Sequence, residues 1–247
     1  MGAALVTGVG RRPGIGFAVA RRFLAAGERV LVASWAPHDR QQPWGGDVVG
    51  DVLAELGDPP HLAVDLGDPT APGELVARAR AEVGPLTTLV AAHARSAGGT
   101  LAQVTAAEMD AGFAVNGRAS VLLAQAFAAQ YDVGAGPGRL VLFTSGQHRG
   151  PMPGEIAYAL SKAALQGITA TLSEELAPQG IAVICVNPGP TDTGWADAGA
   201  HARIAAAFPS RRWTTPEEIA ALVEWLTGPT GMLLTGQTID AEAGFRR

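Results

Sequence analysis

Short apolar runs alternate with helix-patterned stretches along the whole chain, and that alternation restricts what it can fold into. Residues 3–6, 30–33, 61–64, 88–92, 139–144, 181–186 and 238–240 read as strands. Most are continuous apolar runs, as expected of strands covered on both faces of a sheet. The intervals between them are too long for hairpins. Phe17, Ala20, Phe23 and Leu24 recur at helical spacing before a stop at Gly27, and residues 74–83 are helical. Thr105 and Glu108 read as a capping box opening a long helix that carries Phe113, Asn116, Leu122 and Phe127. Thr215 and Glu218 read as a second box, with Pro216 at the first helical position. Residues 36–50 are broken by Pro and Gly and read as an irregular loop, followed by a short helix over 51–56. The pattern implies an α/β chain: one doubly wound parallel sheet of about seven strands, with helices on both faces. No linker, repeat or low-complexity tract interrupts it, so a single domain over residues 1–247 is expected.

The net charge of −5, without a basic run, argues against nucleic acid as a partner. Polar residues interrupt every apolar run before it reaches the ~20 residues of a membrane span. The amino terminus shows no basic region or cleavage site of a secretory signal, so the cytoplasm is the expected location. The single cysteine, Cys185, cannot form an intramolecular disulfide or a zinc cage, and no metal site is expected.

Thr7-Gly8-Val9-Gly10-Arg11-Arg12-Pro13-Gly14-Ile15-Gly16 lies between the first strand and the first helix. Strand, glycine-rich turn and helix form the context of a dinucleotide-binding loop in a Rossmann-type sheet: the glycines admit a pyrophosphate to the backbone, and the helix N-terminus favours its charge. The acid that holds the ribose 2′-hydroxyl of NAD at the end of the second strand is missing; Ser34-Trp35 stands there. Arg11 and Arg12, together with Arg40, are candidates to meet a 2′-phosphate, which favours NADP(H) over NAD(H).

The other chemical signal is Ser145 with Tyr158 and Lys162. Tyr158 and Lys162 are four apart, about one helical turn, so they share a helix face. A neighbouring ammonium is expected to lower the phenol's pKa from about 10, towards useful acid–base chemistry. Ligands in such sheets bind beyond the carboxyl ends of the strands, where Thr7, Asp65, Ala91, Ser145 and Pro188 all fall.

Taken together these motifs resemble the short-chain dehydrogenase/reductase family over essentially the whole chain, in its 3-oxoacyl-carrier-protein-reductase-like form. The resemblance implies Asn116, Ser145, Tyr158 and Lys162 as the catalytic set, with Tyr158 as general acid/base, Ser145 orienting the substrate oxygen and Asn116 holding a water that links Lys162 to solvent. It implies a cofactor site of Thr7, Gly8, Gly10, Arg11, Arg12, Gly14, Ile15, Gly16, Ser34, Trp35, Asp65, Leu66, Ala92, Tyr158, Lys162, Pro188, Gly189, Thr191 and Thr193. It also implies a homotetramer or homodimer and a small carbonyl or alcohol substrate, such as that of a secondary-metabolite or 3-oxoacyl ketoreductase. Gln147, His148, Met152 and Trp195 are the expected substrate-pocket residues, joined by Phe208 and Trp213, under a lid around residues 191–213.

Three departures stand out. Two extra residues widen the glycine loop. The family's Asn-Asn-Ala-Gly is here Ala91-Ala92-His93-Ala94, with His93 expected to be structural. Near the carboxyl terminus Glu242-Ala243-Gly244 replaces a Gly-Gly, which is expected to touch a subunit-contact region rather than the chemistry. The alternative is a redox-inactive protein on the same fold. Dehalogenase-like members carry Arg in place of Lys162 and lack the glycine loop, and a non-catalytic binding or regulatory protein is the other form. Enoyl reductases of a related branch space Tyr and Lys more widely.

Overall fold

The computed structural model describes residues 2–246. Its strands are β1 (Ala3–Thr7), β2 (Arg29–Ser34), β3 (His61–Ala63), β4 (Thr88–Ala91), β5 (Gly138–Phe143), β6 (Ile181–Asn187) and β7 (Gln237–Asp240). Its α-helices are α1 (Ile15–Ala25), α2 (Ala36–Arg40), α3 (Val49–Glu55), α4 (Ala71–Val83), α5 (Ala106–Gly112), α6 (Ala119–Gln130), α7 (Ile156–Leu176), α8 (Ala198–Ala207) and α9 (Pro216–Thr227). All strand pairs are parallel, in the order β3-β2-β1-β4-β5-β6-β7.

Successive strand side chains point to opposite faces, so each strand feeds two cores. Leu5 and Val183 join Leu75, Leu123, Phe127 and Leu165 of α4, α6 and α7. Val6 and Ile184 join Phe17 and Phe23 of α1, Val52 of α3 and Val223 of α9. Both faces are therefore apolar, which explains the uninterrupted runs. The strand order turns back at β1: β2 and β3 lie on one side, β4 to β7 on the other. That switch point opens a crevice at the carboxyl ends of β1 and β4.

Phe127 is fully buried in the first core. Phe127→Ala is expected to cost about 3–5 kcal/mol of unfolding free energy. Urea denaturation followed by circular dichroism measures this; a loss below about 1 kcal/mol would mean that the surrounding side chains close the void.

Local structure departs from the sequence pattern in four places. Residues 36–40 form α2 rather than loop, because Pro37 sits in the first turn, where its missing N–H costs nothing. The helix from Thr105 is interrupted by a π-helical turn, Phe113–Arg118. The Thr105 box is half formed: its hydroxyl accepts from the Glu108 N–H, but the Glu108 carboxylate pairs with Arg95. The Thr215–Glu218 box is complete in both directions. Residues 198–207 form a helix, capped by Asp197, within the segment expected to be a lid.

Candidate active site

A cleft of about 1060 Å³ opens at the carboxyl ends of the strands. Thr7, Gly8, Gly10, Gly14, Ile15 and Gly16 form one wall. The glycines are required by close packing. A Cβ on Gly8, which has φ +76°, would stand 2.7 Å from the Ala92 backbone, and one on Gly16 would stand 2.6 Å from the Gly8 carbonyl oxygen. No side chain caps α1 at Gly14, so its first N–H groups face the cleft. A backbone cradle at an uncapped helix N-terminus fits a dinucleotide's pyrophosphate.

Ser34, Trp35, Asp65, Leu66 and Ala92 line the adjoining region, and Pro188, Gly189, Thr191 and Thr193 line the opposite wall. The Asp65 carboxylate accepts from the Gly67 N–H at 2.8 Å. The Glu242 departure bears on this site rather than only on a distant surface. Its Cα lies 2.9 Å from where a Gly189 Cβ would stand, and its carboxylate accepts from the Asn187 amide at 2.9 Å.

The loop arginines divide. Arg11 lines the cleft and donates to the Thr193 carbonyl at 2.9 Å, joining the glycine turn to the segment across the cleft. Arg12 does not line it. The guanidinium turns outward to Asp51 at 3.6 Å and Glu55 at 3.5 Å, so the expectation of a 2′-phosphate contact from Arg12 is corrected. Arg40 is exposed and also lies outside the cleft lining. An acid missing from the end of β2 arrives by another route. Asp39 of α2 lines the cleft, its carboxylate 3.2 Å from the position of a Gly10 Cβ. Burial holds its carboxyl above the usual range, Arg11 draws it back and Asp47 pushes it further up. No strand-end signal marks Asp39, because α2 itself was hidden by Pro37.

The catalytic candidates gather at the ends of β5 and α7. Ser145 and Tyr158 line the cleft. Lys162 lies behind them, 2% exposed, its ammonium 5.9 Å from the Tyr158 ring centroid and donating to the Phe143 carbonyl at 2.9 Å. Burial pushes the ammonium down to about 8. The expectation that Lys162 lowers the phenol's pKa is not met in this site. Burial first, then the charge of Glu155, push Tyr158 up to about 12, against a hydrogen bond from Ser145. Lys162 spends its hydrogen bond on Phe143 instead of the phenol.

Asn116 is fully buried on the π-helical turn, a local irregularity that recurs at functional sites. Its amide donates to the Arg95 carbonyl at 3.0 Å and to the Ser161 hydroxyl at 2.8 Å, and its carbonyl oxygen accepts from the Arg95 N–H at 2.7 Å. It thus ties the loop after β4 to α7, one residue before Lys162.

His93 crosses the space left by Ala91 and Ala92. Its Nε2–H donates to the Val115 carbonyl at 3.0 Å, which leaves Nδ1 to accept from the Thr7 hydroxyl at 2.7 Å. Burial and the Lys162 charge push it down to about 3, so it is a neutral brace between β1, β4 and the π-helical turn.

At the substrate end, Met152 and Trp195 line the cleft, but Gln147 and His148 do not. Gln147 donates to the Thr144 hydroxyl at 3.0 Å, and His148 pairs with Asp240 of β7 at 2.8 Å. Phe208 and Trp213 are also withdrawn: both are buried, Phe208 packing on Phe245 and Trp213 on His201. Ile204, Phe245 and Glu155, which the sequence did not single out, also line the cleft. Phe245 reaches it because the Arg246 N–H donates to the Ala207 carbonyl at the end of α8.

A family model described as enoyl-(acyl carrier protein) reductase matches residues 8–246. An uncharacterised oxidoreductase of Bacillus subtilis, YjdA, is 33% identical over 99% of this chain and 96% of its own. A short-chain dehydrogenase from Burkholderia cenocepacia, solved in complex with NADP, superposes with a TM-score of 0.85 at 33% identity, covering 98% of this chain and 97% of that one. A blue fluorescent protein from a metagenomic library, solved in complex with NADPH, gives 0.86 at 29% identity, covering 100% and 98%.

Proposed function

The chain belongs to the short-chain dehydrogenase/reductase family and is an NAD(P)-dependent oxidoreductase, and from that premise we propose that it interconverts a ketone and a secondary alcohol with Tyr158 as the general acid/base. The observation that carries this is the shared cleft. Tyr158 and Ser145 line the same crevice as the glycine turn, with Lys162 buried behind the phenol. The nicotinamide cofactor, when bound, supplies or accepts the hydride. Tyr158 gives a proton to the carbonyl oxygen as charge develops there, and takes one from an alcohol in reverse. Ser145 donates a hydrogen bond to the same oxygen and orients it. Lys162 ties α7 to the Phe143 carbonyl at the end of β5 behind the phenol, and Asn116 positions α7 through Ser161. A panel of ketones and alcohols assayed with both nicotinamide cofactors tests the reading; no turnover of any member would count against it. The family model's description names enoyl reduction, but Tyr158 and Lys162 stand only four apart, which favours carbonyl chemistry.

For the cofactor we read NADP(H) ahead of NAD(H), with Arg11 supporting a 2′-phosphate and Asp39 opposing it. Arg11→Ala is expected to weaken NADPH binding about tenfold relative to NADH, the loss of one charge-assisted contact. Asp39→Asn is expected to shift the ratio the other way. Calorimetric titration with both cofactors measures this, and tighter NADH binding by the unaltered protein would reverse the preference.

We read residues 191–213 as the lid over the substrate. Exposed Phe113 and Leu160, on the helices that the family resemblance pairs across subunits, support a homodimer or homotetramer. Light scattering showing a monomer would refute this. Among the described residues no helix is long and apolar enough to cross a membrane, and we place the protein in the cytoplasm.

A further inference from the structure

Glu155 is the N-cap residue of α7 and stands three residues before Tyr158. Its backbone is held on both sides. The Glu155 N–H donates to the Met152 carbonyl at 3.3 Å, and the next N–H, of Ile156, donates to the Gly99 carbonyl at 3.4 Å. The side chain lines the cleft and is half-buried. Among the described residues no hydrogen bond or ion pair satisfies its carboxylate.

Arg95 pairs with Glu108 at 3.1 Å, and Asp65 holds the Gly67 N–H. Asp39, at the adenosine end, likewise has no hydrogen bond or ion pair among the described residues, but the Arg11 charge acts on it, whereas no cation acts on Glu155. Burial holds the Glu155 carboxyl above its usual range, and its charge in turn disfavours the Tyr158 phenolate. A partly desolvated carboxylate without a partner is costly, and a cation placed against it recovers that cost.

We propose that Glu155 is a specificity-determining residue and that the substrate is a ketone or secondary alcohol bearing a protonated amine. The proposal rests on the carbonyl–alcohol reading and deepens it. The ammonium sits against Glu155, while Met152, Trp195, Ile204 and Phe245 receive the apolar body. The same ammonium cancels the charge that opposes ionisation of Tyr158, so a cationic substrate improves the acid–base group that acts on it. A neutral substrate of the same shape does neither.

The test uses the full chain with its nicotinamide cofactor bound and a matched pair of probes. One is a ketone with a dimethylamino group two carbons from the carbonyl; the other is its isopropyl isostere. Calorimetry is expected to show the amine binding about tenfold or more tightly, the effect of one charge-assisted contact. In Glu155→Gln the ratio is expected to fall towards one, and in Glu155→Asp to persist in part. A ratio near one in the unaltered protein, or a ratio that Glu155→Gln leaves unchanged, overturns the proposal. The first of these needs no variant to fold. Turnover of the same pair separates the two levels of inference. Equal kcat/KM for both ketones removes the cation subsite and leaves the reaction standing. Glu155-dependent binding without any turnover supports the subsite and removes the carbonyl–alcohol reading.

Discussion

Tyr158→Phe is expected to lower kcat for carbonyl reduction by about 10²–10⁴, the usual contribution of a positioned general acid. The substitution removes one hydroxyl from the cleft and leaves the ring, the glycine turn and the Ser145 hydroxyl in place. Cofactor affinity measured by fluorescence titration should therefore stay within a factor of a few. The direction of the reaction sets the pH dependence. With the phenol pushed up to about 12 before substrate binds, the protonated form needed for reduction dominates throughout the neutral range. Reduction should show no loss between neutral and mildly alkaline pH from this group. Alcohol oxidation needs the phenolate and should rise with pH. Full activity in Tyr158→Phe would remove the residue from the chemistry, whatever the pH profile.

Lys162→Met is expected to have opposite effects on activity and stability. Activity falls, because the bond that ties α7 to the Phe143 carbonyl behind Tyr158 is lost. Stability at neutral pH is expected to rise by about 1–3 kcal/mol, since replacing a buried charge by an apolar chain of similar length relieves desolvation. The sign follows from the ammonium's pKa, pushed down by burial to about 8 from its ordinary 10.5. Between those values the unfolded chain binds more protons than the folded one, so the native protein gains stability as pH rises through that window. Below about 8 the full cost of the buried charge is present, and Lys162→Met avoids it at every pH. The gap between variant and native protein is thus largest at neutral pH and narrows towards about pH 10. Urea unfolding at the two pH values reads it. A variant less stable at neutral pH would mean that the bond from Lys162 to the Phe143 carbonyl outweighs the desolvation.

The strands were legible because a sheet covered on both faces demands uninterrupted apolar runs. The grouping of Thr7, Asp65, Ala91, Ser145 and Pro188 follows from their places at strand ends; four of them line the cleft, while Ala91 is buried and its neighbour Ala92 lines it instead. What escaped the sequence depended on longer-range contacts or on unmarked local geometry. Arg11 and Arg12 are neighbours of the same type, yet Asp51 and Glu55 of α3 draw Arg12 outward while Arg11 reaches Thr193 across the cleft. Pro37 reads as a loop breaker but occupies a helix start, so Asp39 was not a candidate. The π-helical turn at Asn116 has no local periodic signature distinct from a continuous helix. Gln147 and His148 are expected in the substrate pocket, but Thr144 and Asp240 claim them instead. Glu155 sat in plain view beside Tyr158, but only the folded cleft distinguishes a carboxylate without a partner from an ordinary helix-capping acid.

The most direct test of the carbonyl–alcohol reading is the fate of a labelled hydride. The protein is incubated with nicotinamide cofactor deuterated at the transferring carbon and a panel of ketones that includes the dimethylamino ketone, and the products are analysed by mass spectrometry and NMR. The expected result is a secondary alcohol with deuterium on its carbinol carbon, formed by the native protein and suppressed in Tyr158→Phe. Bound cofactor with no deuterium transferred to any ketone would contradict it and return the chain to the redox-inactive alternative.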